Sequence, residues 1–154
     1  PTNIGSKVER GATCLDDDKW WGVPMALRAT IWAMIPGAEP KGESAWARLD
    51  TASEKGSQAN VRLADVMHVL AAYTKSDMER VKRVMRNHVE QIKNNPSNPQ
   101  YRLIDKMATY NLLVISDRLW TENTGHRTPF GGLGTFWDDK RESVGEVMDM
   151  DDLL

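Results

Sequence analysis

Apolar residues recur along this chain with a helical period, and nowhere with the sustained alternation of a strand. The clearest case is SDMERVKRVMRNHVEQIKNN. There Met78, Val81, Met85, His88 and Ile92 step by three and four, and Val84 and Val89 widen the stripe. Ser76 and Glu79 spell the S-x-x-E capping box that opens such a helix. Upstream, MALRATIWAMI is apolar almost all round, which predicts an enclosed helix. Pro24 stands at its first position, where a missing N–H costs nothing, and Pro36-Gly37 ends it. A short helix is expected over Ser44 to Ser53, with Trp46 and Leu49 three apart. VRLADVMHVLAAYT follows, with Asn60 as its expected N-cap. Its polar interruptions are Arg62, Asp65 and His68, so it too reads as largely enclosed. After the NPSNP break, Asn98 caps a last long helix with Pro99 at its first position, running to about Thr121.

These elements predict an all-α fold, a compact bundle of about five helices (one short) with extended N- and C-terminal arms. Residues 1–23 are expected as an N-terminal arm, 24–121 as the helical core, 122–142 as a Gly-rich loop or arm, and 143–154 as an acidic, hydrophobic tail. A length of 154 residues fits one core.

Composition changes this picture little. The net charge of −2 advertises no global field for a polyanion. One cysteine, Cys14, allows no internal disulfide and suits a reducing compartment, so an intracellular location, cytoplasmic or virion-associated, is expected. No run of 18 apolar residues exists, so no membrane partner is expected. Six Trp and eight Met fit either core filling or a contact surface.

Catalytic and metal-binding patterns are hard to find. His68, His88 and His126 have no second ligand at metal spacing, and no metal or cofactor is expected. GGLG at 131–134 lacks the Lys-Ser/Thr of a phosphate loop and reads as a hinge. Two basic features stand out instead. Lys75 to Lys106 holds eight Lys/Arg against four Asp/Glu, a segment charge of +4. Lys82, Arg86 and Lys93 share one side of the fourth expected helix, with Arg80 and Arg83 further round, and such a face can track a phosphate backbone. Its plainer reading is a solvated face with Glu79 pairing Lys82 or Arg83 and Glu90 pairing Arg86. Arg118 and Asn111 project with Ile104, Met107 and Val114, the side where the core is expected. A guanidinium there needs a buried acid or an anionic ligand.

The chain finishes on GEVMDMDDLL. From 136 to 154 there are seven acids and two bases, a charge of −5. Val144, Val147, Met148, Leu153 and Leu154 are its expected docking contacts, for a groove flanked by basic residues. The alternative is a solubilising tail. Together these features point to a non-enzymatic, self-assembling helical structural protein of nucleocapsid or coat type. Its expected partners are nucleic acid, RNA above all, through backbone contacts, and copies of itself through the arms. The alternative is an intracellular adaptor that binds a protein partner through a Trp/Met surface or through the acidic peptide.

Overall fold

A computed structural model of the chain describes residues 3–140. Among these the fold is all-α, a bundle of six α-helices. They are α1 (Ile4–Thr13), α2 (Val23–Met34), α3 (Ala45–Ala59), α4 (Ala64–Thr74), α5 (Met78–Asn94) and α6 (Arg102–Thr124), with a single 3-10 turn at Pro99–Tyr101. Among the described residues no helix is long and apolar enough to cross a membrane.

Several expected starts and stops hold, but α3, expected as a short helix ending at Ser53, continues to Ala59. Pro24 lies in the first turn of α2, and Asn98 accepts from the Gln100 N–H at 3.1 Å to open the turn into α6. Asn60 closes α3 instead of opening α4. It sits in the left-handed conformation at φ 56°, and its N–H reaches the carbonyls of Gly56 and Ser57. The N-cap of α5 is Asp77, which accepts from the Arg80 N–H at 3.1 Å, one residue beyond the expected Ser76.

Residues 4–13, expected as part of an extended arm, form α1 and pack along α2. Two glycines, Gly5 and Gly11, disguised this helix. A Cβ on Gly5 would lie 3.0 Å from Cδ1 of Ile35 at the C-cap of α2, a tight contact that glycine avoids. Glu9 on α1 accepts from the Trp32 indole N–H at 3.1 Å.

Helix α4 is the hub and packs against α2, α3, α5 and α6. Its near-continuous apolar surface follows from that position: Val66, Val69 and Ala72 serve one core, Ala64 and Ala71 another. The first core joins Val81, Val84 and Met85 of α5 to Ala108, Leu112 and Leu119 of α6. The second joins Met25, Ala26 and Ala29 of α2 to Leu49 and Ala52 of α3. Residues 125–140 have no regular structure, yet their described course is not a detached arm. Phe136 is buried in the first core, and the Trp120 indole donates to the Thr135 carbonyl at 3.0 Å.

A buried ion pair ties the helices together. Arg62, between α3 and α4, donates through Nη1 to Asp105 Oδ2 of α6 at 2.7 Å, and neither side chain reaches solvent. Its Nη2 donates to Asn60 Oδ1 and to the carbonyls of Gln91 and Asn95, at 3.1, 3.2 and 2.8 Å. Asp105 also accepts the Arg62 backbone N–H at 2.7 Å and the Ser97 hydroxyl at 2.5 Å. Removing one partner strands the other in an apolar interior. Arg62→Met is therefore expected to cost on the order of 3–5 kcal/mol in denaturant unfolding, and Arg62→Met with Asp105→Leu to recover part of that loss.

Backbone geometry gives a second test. Gly22 and Gly37 have nearly the same positive φ, 77° and 76°, but a Cβ on Gly22 would lie 2.5 Å from the Ala52 carbonyl oxygen while Gly37 faces open space. Gly37→Ala should cost about 1 kcal/mol from backbone conformation alone, and Gly22→Ala clearly more, because α2 and α3 must separate. Equal melting temperatures for the two variants would contradict this close approach.

Candidate interaction surfaces on the last two helices

The basic side chains of α5 are grouped as expected, but acids from elsewhere in the chain hold most of them. Arg80 lies 4.8 Å over the Trp46 ring and donates to Asp50 at 3.2 Å and to Asp77 at 3.3 Å. Arg83 shares Asp50, at 3.0 Å. Lys82 reaches Asp138 at 2.6 Å, and Arg86 reaches Asp139 at 2.5 Å and the Gly134 carbonyl at 3.3 Å. Both lie over the Phe136 ring. The Lys82 ammonium holds the Asp138 carboxyl below its usual range. Burial pushes Asp50 up, but the hydrogen bonds and charges of Arg83 and Arg80 outweigh it and leave its carboxyl below the usual range. Four cations thus face Asp50, Asp77, Asp138 and Asp139, and the patch is close to neutral. The helix-surface pairs expected with Glu79 and Glu90 are not the ones formed. Lys93 differs. It is exposed in the last turn of α5, with no carboxylate partner among the described residues.

Two histidines are buried in polar chains. The His68 ring meets Ser53 Oγ through Nδ1 at 3.0 Å and the Arg80 guanidinium through Nε2 at 3.1 Å. A guanidinium only donates, so Nε2 accepts and the proton sits on Nδ1. Burial, with the Arg80 charge adding to it, drives the His68 pKa down from 6.5 to about 4, although Asp50 and Asp65 oppose the shift. His88 joins Asp65 Oδ2 at 2.7 Å and Thr109 Oγ1 at 3.1 Å. Hydroxyl, imidazole and carboxylate follow the order of a nucleophilic triad. Here the Thr109 hydroxyl also lies 3.2 Å from the Asp105 carbonyl in its own helix, and His88 is fully buried. That arrangement links polar groups across α4, α5 and α6, as a core network does, and leaves only Asp65 Oδ1 of the carboxylate without a partner.

Helix α6 is turned the other way from the expectation. Its buried side is Asp105, Ala108, Leu112, Ser116 and Leu119. Arg118 therefore lies outside, over the Tyr73 ring and paired with Glu122 at 3.1 Å, and it lines no buried anion site. Asn111 is exposed as well. The buried guanidinium of this fold is Arg62. Asp105 is drawn inward by Arg62, and Ala108, Leu112, Ser116 and Leu119 follow it in phase.

The consequence is an open apolar ridge. Leu103, Met107, Tyr110 and Val114 step by four, three and four, and are 74%, 54%, 66% and 51% exposed. Beside Tyr110, a hollow of about 400 Å³ opens between α5 and α6, lined by Val89, Ile92, Thr109, Leu113, Leu133 and Lys106. A groove on the other side is lined by Val114, Asp117, Arg118, Glu122 and Arg127. Arg118 pairs with Glu122, while Arg102, Lys106 and Arg127 have no carboxylate partner among the described residues, so cations outnumber acids on the rim of the ridge. A smaller apolar patch lies where α1 meets the end of α2, at Ile4, Val8, Met34 and Ile35.

No group of His, Cys, Asp and Glu among the described residues is arranged to hold a metal ion. The expected docking residues Val144, Val147, Met148, Leu153 and Leu154 lie outside the described residues. No family model, no curated protein and no solved structure matches the chain.

His68 generates a pH test. Near pH 7 it is neutral in both folded and unfolded chains. As pH falls below 6.5, the unfolded chain takes up a proton that the folded one refuses until about pH 4. Stability therefore falls across that window as the medium acidifies. Between pH 6.5 and 5 the loss should be about 2 kcal/mol, and His68→Asn should flatten that part of the unfolding profile. An unchanged slope would show that His68 takes up its proton in the folded chain as readily as in the unfolded one.

Proposed function

We propose that this chain is a non-enzymatic, self-associating helical structural protein of the nucleocapsid or coat type. The observation that carries the reading is the open ridge of α6. Four large apolar side chains at helical spacing face solvent, next to an apolar hollow. Single exposed apolar residues are ordinary, but a continuous stripe of this kind marks a contact surface. The second apolar patch, on α1 and α2, gives each copy two separate sticky faces. Different faces on one subunit are what head-to-tail assembly requires.

Nucleic acid is the proposed cargo, held through phosphate contacts. Lys93, Arg102 and Lys106 are the cations best placed for it, since they lack carboxylate partners among the described residues. Arg80, Lys82, Arg83 and Arg86 would have to exchange Asp50, Asp138 and Asp139 for phosphate. That neutralised patch favours a second reading, an adaptor that offers the same α6 ridge to a different protein.

Sedimentation over a concentration range, with and without single-stranded RNA, separates the two readings. The structural-protein reading expects concentration-dependent association and RNA binding that weakens steeply with salt. Met107→Asp with Val114→Asp should abolish association while leaving the melting temperature nearly unchanged, because both side chains are already exposed. Asp138→Asn with Asp139→Asn should tighten RNA binding if the freed Lys82 and Arg86 meet phosphate. A monomer indifferent to RNA at every concentration would favour the adaptor.

A further inference from the structure

We infer that the ridge of α6, with the hollow beside it, receives residues 141–154 of a neighbouring copy. This rests on the self-association reading and names the segment that would fill the face. The ridge is apolar with Arg102, Lys106 and Arg127 on its rim. Its occupant should therefore be apolar and acidic at once. Residues 141–154 carry five acids against Arg141, a charge of −4, and set Val144, Val147, Met148, Met150, Leu153 and Leu154 among them. An amphipathic peptide in an apolar groove uses anchors of this size and spacing.

The obvious rival is a second α6 ridge, packed face to face. Antiparallel pairing would bring Arg102 and Lys106 of one copy towards the Asn111 to Arg118 stretch of the other, where Asp117 is the one acid and Arg118 is a further cation. That stretch offers one carboxylate to these cations, whereas residues 141–154 offer five, so the acidic peptide complements the rim better. Reach is not limiting. The described chain stops at Lys140, where Trp137 packs against Trp120 in the C-terminal half of α6. Fourteen further residues span up to about 45–50 Å when extended. A groove and a complementary segment on every copy make a contact that propagates from subunit to subunit.

Two full-chain variants and their mixture test the inference. The face variant is Met107→Asp with Val114→Asp, and the peptide variant is Val147→Asp with Leu153→Asp. Circular dichroism and melting check that each is folded. Each alone should self-associate about tenfold more weakly, or worse, than the unaltered chain, since both remove central apolar contacts. Mixed in equal amounts, they should form a one-to-one heterodimer, because one supplies an intact peptide and the other an intact face. Association should also weaken as salt is raised.

Several results would overturn the inference, and they separate it from the reading beneath it. A peptide variant that assembles like the unaltered chain, while the face variant does not, would leave self-association standing and point to ridge-on-ridge pairing. Two variants that both assemble normally would move the interface elsewhere, the patch on α1 and α2 being the next candidate. Two monomeric variants that fail to complement each other would exclude docking between copies through this pair. An unaltered chain that stays monomeric would remove the self-association reading itself.

Discussion

The fold depends on one buried charge that takes partners from three helices or their ends. The Arg62 guanidinium cannot be deprotonated and is closed to solvent, so its charge must be met inside the protein; Nε has no partner there, but Nη1 and Nη2 find acceptors. They find the Asp105 carboxylate on α6, the side chain of Asn60 at the end of α3, and the carbonyls of Gln91 and Asn95 at the end of α5. Those two carbonyls belong to the last turn of α5 and its C-cap; the Gln91 carbonyl also accepts the Asn95 N–H at 2.9 Å. One side chain therefore closes a helix end and sets the position of α6 relative to α3 and α5. A buried pair need not add stability over an apolar replacement, but it does specify which elements meet.

That constraint also determines what α6 shows to solvent. With Asp105 turned inward, the residues in phase with it are Ala108, Leu112, Ser116 and Leu119. The opposite phase, from Leu103 to Val114, is left outside whatever its composition. The open ridge is thus the geometric counterpart of the buried ion pair. His88 reinforces this phase by linking Asp65 on α4 to Thr109 on α6.

The charges of α5 follow a related logic at the surface. Its apolar side is taken by the first core, so its cations are displayed along the flanks. Asp50 from α3 and Asp138 and Asp139 from the C-terminal strap close over them. The strap is held by the burial of Phe136 under Lys82 and Arg86, and the ion pairs come with that packing. Exposed pairs of this kind hold weakly and exchange with competing anions, so their main effect is to mask charge.

What the sequence by itself determined was local. The apolar period of three and four placed α5 and oriented it correctly, burying Val81, Val84, Met85 and His88. Pro24, Pro36-Gly37 and Asn98-Pro99 bounded their helices through backbone chemistry that neighbouring residues alone decide. The enclosure of α4 was legible because a helix apolar on every side has nowhere else to go. Only the tertiary structure decided the rest. Helix α6 has two sides of comparable apolarity, and periodicity cannot choose between them. The choice was made by Arg62, 43 residues away along the chain from Asp105. The same holds for the cations of α5, whose partners lie 30 to 56 residues away at Asp50, Asp138 and Asp139. A helical wheel reports spacing within one element. Which face is buried, and which charge is masked, depends on what packs across from it.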